Sequence, residues 1–424
     1  MIVKDLKRLA LVLGLLAALM MLLRASLGLN VSTLFGKTRP GKQNNSETDG
    51  KPLRPHNETH TEIFSASTPT GGYFKVRFGE YAFNPNIIPH PSQNDTWIIM
   101  AQLWDHPSAH DAFSAEVGCN ARFLGGALVC IDKVRVLPIS PTHGAKCEGE
   151  IGFFRLNVGP HDARVFYGPR KPYTIYGSNS AFTCFGMWMR DFRKLVDWGF
   201  ERSIPDDFEV GTELQRPEPY SPVEKNWFVF WDGDDRMHAH YNIYPKRAFA
   251  RLGSDGSAGR DLAPVVAAHD ERCMKRYLPK PPPRIESIHQ ATNALKVTLC
   301  DRADWLCKPD DSNTFILTII QHKRFYNWHS EYEPYAVLFH QRAPYELYAI
   351  SKKPLWISGR RRVSDTRTDM FYVTSANWRD RGVKYHGFLD DVLFLGFGIE
   401  DKEAGGIDVK AADLLVDLGL CPQL

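Results

Sequence analysis

Acids and bases that stand alone between apolar runs are where a chain of this kind can hold chemistry. In Asn157-Val-Gly-Pro-His-Asp-Ala-Arg-Val-Phe-Tyr167 an isolated acid, Asp162, and a base, Arg164, lie between segments that read as strands, 151–158 before and 165–167 and 173–176 after. His161, Asp162 and Arg164 are therefore expected at a strand-to-strand corner, the place where β-rich folds carry their sites. Asp beside Gly-Pro is also ordinary turn chemistry and needs no site. Four further stretches share the pattern. Glu224-Lys225-Asn226-Trp227 opens the apolar run 228–231, and Ser287-Ile-His289-Gln-Ala-Thr-Asn293 puts one imidazole ahead of another run. Gln321-His322-Lys323-Arg324 ends a strand in three bases, and Phe397-Gly-Ile-Glu-Asp401 runs through glycine into two acids. A lone histidine also serves to satisfy a structural hydrogen bond, and the closing acids also suit a turn.

One or two carboxylates among several bases suit a reaction that exchanges a sugar bond for a bond to phosphate or to a nucleotide diphosphate. The bases neutralise phosphate oxygens and the acid moves one proton. Inverting hydrolysis needs a second carboxylate far enough away to activate water. Asp232-Gly-Asp-Asp235 stands apart, because a strand running into Asp-x-Asp can hold Mn²⁺ or Mg²⁺ through Asp232 and Asp234 against a diphosphate. The same sequence is a common hairpin turn.

The elements that must position these residues are mostly strands. From Gly71 onward, short aromatic and β-branched runs are punctuated by Gly, Pro, Asn and Asp. Strands are expected at 96–103, 127–136, 151–158, 165–167, 183–189, 227–231, 239–244, 295–299, 315–322, 335–340, 345–350, 370–376 and 392–398. Helical spacing is confined to 192–200 and 409–418. A dozen or more strands without a β-then-α rhythm exclude a doubly wound sheet, and the absence of exact repeats leaves a sandwich or a degenerate propeller. The Lys-Pro-Pro-Pro stretch at 280–283 reads as a rigid connection.

The chain has 424 residues, 43% of them hydrophobic, enough for a large core. Its 52 basic and 49 acidic residues leave a net charge of +3, which gives no field for nucleic acid. An apolar run at 9–23, preceded by Lys4, Lys7 and Arg8, reaches spanning length at 9–29 if Arg24 snorkels. The expected layout is a cytoplasmic tail at 1–8, a signal anchor at 9–29, a flexible stem at 30–70 and a catalytic domain at 71–424. A cleaved signal peptide is the competing reading. Asn-x-Ser/Thr acceptors at Asn30, Asn44, Asn57 and Asn94 and an even eight cysteines without a Cys-x-x-Cys pair point to disulfides and an oxidising lumen. Cys300 and Cys307 are expected to close a local loop.

Taken in order, Gly159-Pro-His-Asp-Ala-Arg164, Glu224-Lys-Asn-Trp227, His289-Gln-Ala-Thr-Asn293, the strand ending at His322 and Gly396-Phe-Gly-Ile-Glu-Asp401 resemble the five-bladed β-propeller clan of β-mannoside phosphorylases and fungal β-mannosyltransferases. The resemblance covers about Gly71 to Leu424. It implies an all-β five-bladed propeller in which Asp162 transfers the proton. Arg164, Lys225, Asn226, His289, His322 and Asp401 would then bind substrate, with no metal required. His161 and Ala163 replace the family's Glu and Pro, and of its Arg-Gly-Gly-Thr-Pro segment only Thr292 is kept. With the anchor and stem, the resemblance implies a Golgi type II glycosyltransferase that moves mannose from GDP-mannose to a glycan acceptor. A metal-dependent transferase using Asp232 and Asp234, and a non-catalytic carbohydrate-binding propeller, are the alternatives.

Overall fold

Five antiparallel runs of strands follow one another along the chain. The computed structural model describes residues 58–103, 114–144, 146–156, 159–201, 207–282, 285–326, 328–364 and 367–422. The expected tail, anchor and most of the stem lie outside them. Among the described residues no helix is long and apolar enough to cross a membrane.

The first run is Ala82–Pro89, Trp97–Leu103, Glu116–Leu124 and Ala127–Cys130; the second is His161–Tyr167, Pro172–Asn179, Phe185–Asp191 and Thr212–Glu213. The third is Phe228–Trp231, Met237–Asn242 and Ala248–Arg251. In the fourth, Glu286–Gln290 and Leu295–Thr298 both pair with the long strand Thr314–Tyr326, as two pieces of one interrupted strand; His329–His340 and Leu347–Ser351 follow, and the C-terminal strand Leu418–Leu420 pairs with the last. The fifth is Phe371–Trp378, Val392–Ile399 and Glu403–Lys410, to which the early strand Phe74–Arg77 adds. Phe74–Arg77 also runs parallel to Ala127–Cys130, so the first and last runs join into a nine-stranded sheet.

Apolar side chains form one wedge between each neighbouring pair of runs. Ile88, Ile98, Val165 and Phe192 lie between the first and second, and Phe166, Met187, Val229 and Ala239 between the second and third. Phe228, Phe230, Ile316 and Phe339 follow, then Leu295, Leu317, Val373 and Leu395. Phe74, Ile87, Val117 and Phe394 close the circle from the fifth run to the first.

The innermost strands are tied by buried carboxamides rather than by ladders. Asn86 donates to Ala163 O (2.8 Å) and accepts from Val165 N (2.9 Å), and Asn377 donates to Val165 O (3.1 Å). Asn293 donates to Ala376 O (2.7 Å), and Gln290 to His240 O (2.8 Å). Each satisfies a backbone group that a break between sheets would leave unpaired in the interior. The molecule is thus mostly β, closed nearly on itself, with a polar axis.

Of the strand expected at 151–158, residues 151–156 are instead part of a 3₁₀ helix, Gly149–Leu156, beside the Cys147–Cys184 disulfide; 157–158 lie outside the described residues. The segment 127–136 is two strands, Ala127–Cys130 and Arg135–Val136. The helix expected at 192–200 shrinks to Phe192–Lys194, and 409–418 gives only Ala411–Leu414 after the end of a strand. Among the described residues the longest helix is Ala267–Tyr277, outside both stretches where helical spacing is expected; it buries His269, Asp270, Cys273 and Met274. Thr61–Ile63, assigned to the stem, pairs in parallel with Leu355–Ile357, so the fold begins before Gly71. The eight cysteines form four disulfides, 119–130, 147–184, 273–421 and the foreseen 300–307.

Candidate active site

The chain folds into its innermost strands with a repeated irregularity. Asn84, Asp162 and Asn226 stand at the starts of inner strands with φ of 57°, 48° and 61°, and Asp401 follows another strand at 50°. Asn and Asp tolerate this left-handed region best among residues with a Cβ, and its concentration in one place is how functional sites store backbone strain. All four line a single cavity of about 440 Å³, with Phe83, Gln102, Lys225, His289, Lys323, Tyr332 and Tyr372.

Asp162 is not at a corner. It lies within His161–Tyr167, where a bulge between His161 and Arg164 breaks the pairing with Pro172–Asn179, and bulges re-aim side chains next to active sites. Its N–H donates to Gln102 Oε1 (2.9 Å), and its Oδ1 accepts from Asn84 Nδ2 (2.8 Å). No cation pairs with its carboxyl group among the described residues, so beyond the Asn84 bond its oxygens are left available to a ligand.

Arg164 does not reach solvent; it is 1% exposed. Its guanidinium donates to Ala291 O (2.7 Å), Asp162 O (3.1 Å), Asn226 Oδ1 (2.7 Å) and the Tyr372 hydroxyl (3.3 Å). Tyr372 also donates to Asn226 Oδ1 (3.1 Å), and burial pushes its phenol up to about 12. Arg164 is therefore a buried brace beneath the cavity that joins four runs of strands. With its oxygen engaged twice, Asn226 is left with its amide donors for a ligand.

The cations at the cavity wall are Lys225 and Lys323. Neither has an ion-pair partner among the described residues. Lys225 Nζ sits over the Phe154 and Phe185 rings (5.2 and 5.3 Å), and Lys323 Nζ over Tyr332 (5.6 Å). His289 lines the cavity but is held neutral: burial, with Lys323 and Arg164 nearby, lowers it to about 4, against the bond at 3.1 Å to Gln290 O. His322 is elsewhere, bonded to Glu286 Oε2 (2.7 Å); strand alternation turns its neighbour Lys323 to the cavity instead. Asp401 also lines the cavity, and burial raises its carboxyl, with the Asp162 and Glu400 charges adding. Asn84, Gln102, Tyr332 and Tyr372 complete the lining without any mark in the sequence that sets them apart.

Asp232 and Asp234 lie at the other end of the strand that begins after Asn226. Asp232 accepts from the Asp234 and Arg236 amides (2.9 and 3.0 Å), from Arg236 Nε (2.8 Å) and from the Tyr345 hydroxyl (2.9 Å). Asp234 pairs with Arg236 (2.8 Å) and Arg342. These bonds build a hairpin turn that spends both carboxylates on arginines.

Glu116 lies behind the bulge, 1% exposed, with Oε1 accepting from Ala163 N (3.0 Å). Burial pushes its carboxyl up to about 8 from an ordinary 4.5; the Ala163 bond and Arg164 oppose this and the Asp162 charge adds to it. Between those values the folded chain holds a proton that the unfolded chain has released, so stability falls as pH rises through this window. Glu116→Gln keeps the acceptor for Ala163 and removes the titration. Its stability relative to wild type should rise between about pH 5 and 8, by on the order of 4 kcal/mol at the upper end, in urea unfolding at each pH.

No protein-family model matches the chain, and no curated protein matches it. Solved structures do. The β-1,2-mannobiose phosphorylase from Listeria innocua is similar at 12% identity and a TM-score of 0.45, over 84% of this chain and 96% of that one. The mannose phosphorylase MPT-4 of Leishmania mexicana is similar at 11% identity and a TM-score of 0.41, over 89% and 94%. MPT-1, a GDP-Man-dependent mannosyltransferase from the same organism, is similar at 10% identity and a TM-score of 0.40, over 80% and 89%.

Proposed function

We propose that the chain is a carbohydrate-active enzyme, an inverting glycosyltransferase built on a five-bladed β-propeller, that transfers mannose from GDP-mannose to a glycan acceptor as a β-mannoside. In this reading each of the five runs is a blade, and Phe74–Arg77 closes the circle by completing the fifth. The observation that carries the proposal is the pairing, in one cavity, of an uncompensated carboxylate, Asp162, with two uncompensated ammonium groups, Lys225 and Lys323. Asp162 is the base that takes the proton of the acceptor hydroxyl as that oxygen attacks the anomeric carbon; the departing diphosphate leaves toward Lys225 and Lys323. Asn226 and neutral His289 donate or accept hydrogen bonds to the sugar. The resemblance in the sequence suggests the donor, and an anchor at 9–29, as the sequence leads one to expect, would make the enzyme a type II Golgi membrane protein.

No divalent metal is asked of this cavity. The Asp-x-Asp pair stands a strand length away, roughly 15 Å or more at about 3.3 Å per residue. Transfer by the full chain from GDP-mannose to mannosides should continue in EDTA, and arrest by EDTA would move the reaction to Asp232 and Asp234. One observation favours a second reading: Asp401 places another carboxyl in the same cavity, as inverting hydrolysis requires. Release of free mannose from mannosides without any nucleotide sugar, lost in Asp401→Asn, would select hydrolysis. Binding of glycans with neither transfer nor hydrolysis would select a binding propeller.

A further inference from the structure

The hairpin that brings Lys323 and Tyr332 to the cavity continues beyond it. Lys323 and Tyr332 are register partners, followed outward by Phe325 opposite Ser330 and Tyr326 opposite His329. Aromatic and cationic groups connect along it without a gap. Tyr372, in the cavity, lies 4.9 Å from the Tyr332 ring. Lys323 Nζ stands 5.6 Å from Tyr332 and 6.0 Å from Phe325, and the Phe325 ring meets Trp328 edge-on at 6.4 Å.

The outer rungs are open to solvent: Phe325 is 45% exposed and Trp328 95%. Trp328 also holds a φ of 60°, a conformation that costs a bulky residue energy and that hairpin ends normally give to Gly or Asn. A strained, solvated indole contributes nothing to the core, and its place is fixed by a strand pair rooted in the cavity. The other polar groups on this part of the hairpin have partners nearby: His322 bonds Glu286, and Arg324 stands 3.9 Å from Glu331 and Glu333. From Lys323 to the tip the track is roughly 15 Å long at about 3.3 Å per residue.

We propose that this ladder is a track for the acceptor, an uncharged mannose-containing oligosaccharide whose pyranose faces stack on Trp328 and Phe325 while its terminal unit enters the cavity. The inference rests on the reading of the cavity as a sugar-transfer site. Aromatic rings take the apolar C–H faces of sugars as they take other flat partners, by burial and dispersion, and several such rungs favour a chain over a single unit.

The test is titration calorimetry of the full chain with β-linked manno-oligosaccharides of two and six units, without donor, beside Trp328→Ala and Phe325→Ala. The wild type should bind the longer glycan more tightly, and each variant should weaken that binding by roughly tenfold while the shorter glycan is held as before. Equal wild-type affinity for both lengths, or variants that bind the longer glycan as wild type does, would overturn the track and leave the transferase reading standing. Loss of GDP affinity in Trp328→Ala, with glycan binding unchanged, would assign the indole to base stacking and also overturn it. Failure of the wild type to bind either glycan would remove the transferase reading and the track together.

Discussion

Asp162→Asn is expected to lower transfer by about 10²–10⁴-fold, the range for losing a positioned general base, with the fold intact. Asparagine keeps an oxygen for the Asn84 amide at the same place, and it accepts the left-handed backbone of residue 162 as readily as aspartate does. The variant should therefore unfold at the wild-type temperature and still bind donor. Steady-state kinetics should show the loss in kcat, because the proton is moved only in the reacting complex. Asp162→Ala separates the two roles: it abolishes transfer too, but it strands the Asn84 donor and should cost about 1 kcal/mol of stability besides. Full activity in Asp162→Asn would remove the proton-transfer assignment, and Asp401, with its raised carboxyl, would be the next residue to replace.

How far the sequence discloses this site follows from what each residue must do. Asp162, Lys225, Asn226, His289 and Asp401 could be picked out because they interrupt apolar runs, and the structure gathers all five around one cavity. His322 fails by one position. Both it and Lys323 end the same expected strand, and only the alternation of side chains, with an end point that sequence does not fix, decides which of the two faces the cavity. Arg164 is in the right place but points inward, where its guanidinium serves two backbone carbonyls and the side chains of Asn226 and Tyr372. Asn84 and Gln102 are ordinary residues in strands; their function comes from facing Asp162 across a gap of 78 and 60 residues.

The strands that escape the sequence do so for reasons of packing. Glu403–Lys410 contains Gly405-Gly406, which weakens any strand reading. A Cβ on Gly405 would lie 2.5 Å from the Phe397 ring and one on Gly406 2.6 Å from Phe74. The glycines are there because aromatic rings from neighbouring strands lie directly on the backbone. Ala82–Pro89 carries two prolines, yet its Pro85 carbonyl accepts from the Thr374 and Ser375 hydroxyls (3.1 and 2.9 Å). An innermost strand bonded by side chains does not need every N–H, so the usual objection to proline does not apply. Residues 151–158 mislead in the other direction: the run is apolar, but Phe153 is 58% exposed and its ring stacks on Phe154 at 4.5 Å over a helical turn.

Arg164→Met is the second large effect expected. The substitution removes the donors of Ala291 O, Asp162 O and Asn226 Oδ1 at once. Ala291 O and Asp162 O are then left buried without that donor, at about 1–3 kcal/mol each, while Asn226 Oδ1 keeps the Tyr372 hydroxyl; the loss is offset in part because a guanidinium no longer has to be desolvated. A net loss of about 3 kcal/mol should appear as a lower urea midpoint at unchanged slope. Transfer should fall as well, since Asn226 and Tyr372 lose the fork that orders them. Arg164→Lys divides charge from geometry. A lysine restores the positive charge below the cavity but cannot reach four acceptors with one ammonium group. If geometry is what Arg164 provides, the lysine variant regains part of the stability and little of the activity. Recovery of activity with lysine would instead mean that the field of a buried cation under Asp162 is the essential contribution, and would shift Arg164 from brace to electrostatic partner of the reacting groups.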